Sequence, residues 1–217
     1  MQVKKYQLEN GVIPFDEWVN GLAPVVRARV YANLVKIELG NFGNVKPIEG
    51  KDAEDLFEQR MFFGPGISYL FRQGQWDVGR TVVRWRQEDA KEGHCQSQTA
   101  LEGIQNKKGR LSMALTVDYK EGVLKDIREN PEVAREYYRE AMKAIVNGDN
   151  EVANTMFRDL VNAGIGFQRL AKETGISAPN LHRALSVRGN PTMRTFGKIA
   201  ASISAFLGFQ TPMAVFS

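Results

Sequence analysis

The chain has 217 residues, 43% of them hydrophobic and 25% charged, which suits a soluble globular protein of one or two domains. A net charge of +4 and a pI near 9.2 permit a nucleic-acid partner without establishing one. One cysteine, Cys95, excludes an internal disulfide framework and fits a reducing cytoplasm; with only two histidines it also leaves no zinc-ligand set, and no metal or cofactor is expected.

The first element is a strand-like run, Val3–Leu8, ending at a turn at Asn10-Gly11. Its surroundings, MQVKKYQLENG, contain no signal-peptide core, and no apolar run in the chain is long enough to span a bilayer, so neither a membrane partner nor export is expected. A helix opens near Pro14 with Phe15, Trp18 and Val19 on one face. A second, Pro24–Leu39, repeats Val26, Val30, Leu34 and Ile37 at three- or four-residue steps, with Arg27, Arg29 and Lys36 between them; Gly40 ends it. Leu56–Phe63 reads as a strand running into Gly64-Pro65-Gly66.

The stretch 67–112 differs in character. Ile67–Arg72 and Arg80–Arg86 can be strands, but from Gln87 to Arg110 neither period holds and apolar residues are sparse, so poor order is expected. From 113 to 209 the pattern is helical throughout. Amphipathic helices are expected at Asp118–Arg128 and Pro131–Val146, then at Glu151–Ala163, Phe167–Thr174, Ala178–Leu185 and Thr192–Leu207.

The segment GFQRLAKETGISAPNLHRALSVRGNPT, residues 166–192, has the pattern of a helix-turn-helix. Ala171 supplies the small residue inside the first helix, and Gly175 tolerates positive φ at the turn. Leu170, Ile176, Leu181 and Leu185 supply the apolar anchors. Ser177 is expected to cap the second helix, with Pro179 in its first turn. That leaves Ser177, Asn180, His182 and Arg183 facing outward, side chains suited to base edges and phosphates in a major groove. Arg188 and Asn190 follow in the next loop, where they can grip the backbone. A plain helical hairpin in a bundle is the alternative reading.

Residues 113–209 resemble the HigA-like addiction-module antidote proteins. The motifs that carry this are DYKEGVLKDIRENPEVAREYYREAMKAIVNGD, RDLVNAGIGFQRLAKETGIS and NLHRALSVRGNPTMRTFGKIAASISAFLGF. The resemblance implies an all-helical repressor-like domain that dimerises on operator DNA and neutralises a cognate toxin. Residues 1–66 resemble the partner, a RelE/HigB-like killer protein, through YQLENGVIPFDEWVNGLAPVVRARVYANLVKIELGNFGNVKPI and LFEQRMFFGPG. That second resemblance implies a small α+β ribonuclease which cleaves mRNA on the ribosome. The expected fold class is therefore an incomplete α+β toxin-like part, residues 1–66, and an irregular joint, 67–112, followed by an all-α helix-turn-helix domain, 113–217.

After Gly66 the toxin pattern stops: the expected arginine is missing at its place and no lysine-rich helix follows. A shift of reading frame near residue 67 accounts for this. Read from the second base of each codon, Trp76-Asp77 and Trp85-Arg86 must each give glycine, while Gln87, Glu88, Lys91, Glu92 and Glu102 must each give Lys or Arg. A genuine fusion with a divergent joint is the alternative.

In-line cleavage of RNA needs positioned acid–base groups and cations on the phosphorane. Arg60, Arg72, Arg80, Arg84 and Arg86 are present but not at the family's positions, and Asp55 and Glu58 read as surface carboxylates, so no catalytic residue is assigned. The expected partners are operator DNA, a second copy of the chain through the helical domain, and an intact cognate toxin. The rival reading is an active ribosome-dependent mRNA endonuclease fused to its own antitoxin. The apolar helix Phe196–Leu207, with Phe209, is open to either dimerisation or core packing.

Overall fold

In a computed structural model, the structure describes residues 3–7, 10–43, 45–47, 56–61, 67–72, 80–81, 85–87 and 116–209; for several strands it describes the backbone alone. The described part is mostly helical. By contacts the chain groups into two units, Met1–Gly21 with Gly40–Tyr119, and Leu22–Leu39 with Lys120–Ser217. These units do not coincide with the segments 1–66, 67–112 and 113–217 read from the sequence.

Among the described residues, the first unit holds seven short strands and one helix. Strand β1 (Lys4–Tyr6) pairs in parallel with β5 (Arg80–Thr81) and antiparallel with β7 (Thr116–Asp118). An antiparallel sheet has the order β2 (Val45–Pro47), β3 (Leu56–Met61), β4 (Ile67–Arg72) and β6 (Trp85–Gln87), with Phe57 opposite Phe71 and Tyr69 opposite Trp85. Pro47 is tolerated because β2 lies at an edge, where a missing N–H breaks no ladder. Helix α1 (Pro14–Asn20) begins with proline at its first position, where no N–H partner is needed. It buries Phe15, Trp18 and Val19, the face its spacing predicts. Lys5 is almost fully buried, and its ammonium meets both oxygens of Asp16 at 2.7 and 2.8 Å, so the charge is paired where water is excluded.

Thr116–Asp118 corrects the reading of 113–209 as helical throughout. Its three residues complete a sheet with β1, more than a hundred residues upstream. The poor order expected from Gln87 to Arg110 lies outside the described residues, apart from the strand end at Gln87, as do Gly64–Gly66 and Cys95. The side chains of Arg60, Arg72, Arg80, Arg84, Arg86, Asp55 and Glu58 also lie outside them.

The second unit is a bundle of α2 (Pro24–Glu38), α3 (Tyr119–Glu129), α4 (Pro131–Val146), α5 (Asn150–Ala163), α6 (Phe167–Thr174), α7 (Ala178–Ala184) and α8 (Met193–Phe206). Tyr119, at the start of α3, groups with the first unit. Asn130 alone separates α3 from α4, because the residue before Pro131 is driven out of helical geometry; its φ of −123° and ψ of 92° are extended. Gly40 closes α2 at φ +85°.

The core centres on α5, which buries Val152, Ala153, Met156, Phe157, Leu160 and Val161. Phe157 meets the edges of Tyr138 from α4 and Phe196 from α8 at centroid distances of 5.6 and 5.2 Å. The Tyr138 hydroxyl donates to the Ala200 carbonyl at 2.9 Å, and burial pushes its phenol up to about 12. Each such buried aromatic or aliphatic side chain stabilises the fold by about 1.5–3 kcal/mol. Among the described residues no helix is long and apolar enough to cross a membrane.

Candidate nucleic-acid interface

Helices α6 and α7 are joined by Gly175-Ile176-Ser177. Gly175 sits at φ +69° with open space where a Cβ would stand, so backbone conformation, not crowding, selects glycine here. The end of α6 is tied off by three bonds. The Thr174 hydroxyl donates to the Leu170 carbonyl at 2.7 Å and accepts from the Ile176 N–H at 3.3 Å, and Lys198 reaches from α8 to the Thr174 carbonyl at 3.0 Å. Leu170, Leu181 and Leu185 are completely buried, which locks the two helices together as their spacing predicts.

With Leu181 and Leu185 facing inward, helical periodicity turns Asn180 and Arg183 outward, and both are exposed. Ser177 occupies the N-cap position of α7 and is exposed, but its hydroxyl makes no capping bond. That corrects the expected capping role and leaves the oxygen available to another group. His182 is exposed at the flank of α7 and is already engaged within the chain. Its ring stacks on Phe167 at 3.7 Å, and Arg158 donates to its carbonyl at 3.2 Å and lies 3.4 Å from its Nδ1. Among the six residues singled out from sequence, the structure thus separates His182 from the outward pair Asn180 and Arg183.

Arg188 and Asn190 are exposed in the loop after α7. That loop is held by a side chain the sequence reading missed. Asn154, buried in the middle of α5, donates to the carbonyls of Gly189 at 2.7 Å and Ser186 at 3.3 Å. A polar residue inside a run of buried apolar positions was the available signal, since buried amides are hydrogen-bonded. Gly189 is fixed by crowding: a Cβ there would lie 2.1 Å from the Ala184 carbonyl oxygen. The next helix, α8, is capped by Thr192, whose hydroxyl accepts from the Thr195 N–H at 3.2 Å.

The electrostatics of this end are one-signed. Residues 174–217 contain Arg183, Arg188, Arg194 and Lys198 and no aspartate or glutamate. The chain's net charge is +4, so the other 25 cations balance all 25 carboxylates, and the whole excess lies in this stretch. Arg183, Arg188 and Arg194 are exposed, and none has a side-chain hydrogen bond or ion pair among the described residues. Glu173, the last acidic residue, is engaged by the Ser202 hydroxyl and by Arg169, which hold its carboxyl below the usual range.

Of the apolar residues of α8, Phe196, Ile199, Ala200 and Ile203 are buried within the chain, where core packing accounts for them, while Met193 and Phe206 are exposed. Among the described residues no group of three His, Cys, Asp or Glu side chains is placed to hold a metal ion. Comparison with protein-family models, with curated proteins and with solved structures gave no match to this chain.

Proposed function

We propose that the helical unit binds double-stranded DNA as an antitoxin-type repressor, with α6 and α7 acting as a helix-turn-helix and α7 entering the major groove. The observation that carries this reading is the charge distribution: the chain's entire positive excess lies in the stretch holding α7, its following loop and α8, where three arginines stand exposed without a side-chain partner among the described residues. Counterion release makes such a surface bind phosphates in a salt-dependent way. Asn180 and Arg183 are the side chains for base edges, since Asn suits adenine and Arg suits guanine. Ser177, Arg188 and Asn190 flank them as backbone contacts. His182 supports α7 from the side through Phe167 and Arg158.

A single unit of this size covers about 600–1,000 Å² of protein surface on DNA, so two copies on a palindromic site are required for specific affinity. The bound operator is the DNA upstream of the protein's own coding region, and an intact toxin is the second partner. Residues 1–66 are a degenerate toxin part without ribonuclease activity, since the toxin-like pattern stops at Gly66.

The test is titration of the full chain onto duplexes from its own upstream region and onto unrelated duplexes, at several salt concentrations. Arg183→Ala is expected to weaken binding to the preferred duplex by about 1–3 kcal/mol while leaving unrelated DNA less affected. An equal loss on both makes Arg183 a phosphate contact. DNA binding that is absent at low salt, or untouched by replacing Arg183, Arg188 and Arg194 together, overturns the proposal. Growth arrest on inducing the full chain, lost when residues 1–66 are removed, overturns the inactive-toxin part.

A further inference from the structure

Three helices meet at the His182 ring. It lies on Phe167 of α6 with ring centroids 3.7 Å apart and planes 19° from parallel. Arg158 of α5 donates to the His182 carbonyl at 3.2 Å and sets a second guanidinium nitrogen 3.4 Å from Nδ1. The same guanidinium lies 5.8 Å from the Phe167 ring centroid. A guanidinium carries only N–H donors, so Nδ1 is the accepting nitrogen and the ring proton sits on Nε2. Nε2 has no partner among the described residues, and His182 is exposed. The ring is thus held in place with one donor left over, and a side chain already held loses less entropy on binding. Its position fits a groove edge. Successive helical residues turn by about 100°, so with Leu181 buried and Arg183 outward, His182 stands between them on the flank of α7, opposite Asn180. A helix with its side chains is about 10–12 Å across and the major groove about 12 Å wide. The flanks of a seated helix therefore lie against the sugar–phosphate strands, while its outermost line meets base edges.

We propose that His182 is a further DNA contact whose Nε2–H donates to a phosphate oxygen at the edge of the groove, with Arg158 as the positioning residue that holds the ring and its tautomer. The proposal rests on the repressor reading above and adds to that interface a contact of a different kind. Arg183 and Arg188 bring charge, and each phosphate they neutralise releases a counterion. His182, with Nδ1 serving as an acceptor, brings an uncharged donor that fixes position without releasing one. Arg158 stands behind the ring, where its positive charge also favours an anion in front of it.

The test is titration of the full chain and its variants onto the preferred duplex and onto unrelated duplexes at several salt concentrations. His182→Phe keeps a ring over Phe167 and removes the donor. It should weaken binding about tenfold on both kinds of duplex, as a lost bond to a charged group does, with the salt slope and the thermal midpoint unchanged. His182→Gln, which returns an N–H near the Nε2 position, should recover most of that loss. Arg158→Met should cost several-fold in the unaltered chain and much less in the His182→Phe chain; equal losses in both overturn the positioning role. A loss confined to the preferred duplex makes His182 a base contact and overturns the phosphate assignment. Affinity untouched by His182→Phe, in a chain that binds DNA, overturns the proposal alone. A chain that binds no duplex at low salt overturns the repressor reading, and this contact with it. Imidazole nitrogen NMR on the unaltered chain needs no variant: at alkaline pH His182 should carry its proton on Nε2, and the preferred duplex should move that resonance more than Nδ1. A proton on Nδ1, or an Nε2 resonance that DNA leaves in place, overturns the proposal.

Discussion

The helical unit has two polar surfaces built on opposite rules. Along α2 every charge is matched, and Asp126 is enclosed by three donors. Around α7 the cations Arg183, Arg188 and Arg194 are exposed without a side-chain partner among the described residues, and no aspartate or glutamate follows Glu173. The first arrangement contributes to which helices assemble, because an enclosed charge is tolerated only in company. The second adds little to folding and leaves a field for something outside the chain. Charge alone therefore says little; its pairing separates architecture from a binding surface.

The comparison breaks most visibly at Asp126. Asp126→Ala removes the carboxylate that Arg27 and Tyr31 share, and should destabilise the chain by about 3 kcal/mol in urea unfolding while leaving the DNA affinity of the folded fraction unchanged. A parallel loss of DNA affinity would mean the two surfaces are coupled.

A second carboxylate sharpens the same contrast through pH. Burial pushes Asp159 up to about 6 from 3.8, against the opposing pull of Lys120 and the Tyr137 hydroxyl 3.1 Å away. A folded-state value above the unfolded one means the native chain holds that proton more tightly. Its stabilisation is therefore complete below about pH 4 and is lost as pH rises through about 6, a change on the order of 3 kcal/mol. Asp159→Asn should flatten that part of the pH–stability curve and raise stability at neutral pH; a profile that is unchanged by the substitution refutes the assignment.

The effects then become smaller. Asn154→Ala removes both bonds to the 186–189 carbonyls and should cost about 1–3 kcal/mol, with a loss of DNA affinity because the loop carrying Arg188 loosens. Replacing Arg183 and Arg188 by alanine should shift stability by less than about 0.5 kcal/mol and yet lower the salt slope of DNA binding by about 0.9 for each phosphate contact removed. Lys143→Ala is the smallest. Its half-exposed pairing with Glu140 is worth about 0.3 kcal/mol, and calorimetry should barely register it.

Local signals carried most of the elements. Pro131–Val146, Phe167–Thr174 and Ile67–Arg72 lie within the bounds their patterns predict, because proline, glycine and an unbroken apolar period mark both ends. Asn180 and Arg183 face outward because Leu181 and Leu185 do not. What was not legible depends on distant partners. The strand Thr116–Asp118 is three residues long and exists through β1. The contacts of His182 come from Phe167 and Arg158, on other helices. The period of α2 marks a buried face without revealing that Asp126, about a hundred residues later, completes it.

That separation has a consequence for how the chain is made. Synthesis runs at about 5–20 residues per second. Helix α2 therefore leaves the ribosome about 5–20 seconds before the helices that cover Tyr31 and Leu34 exist. During that interval its apolar positions are exposed, and long-range closure must await the synthesis of residues 119–163. A chaperone that holds short basic-apolar segments has its window there, and a ribosome stalled after residue 66 would release α2 without the helices that bury it.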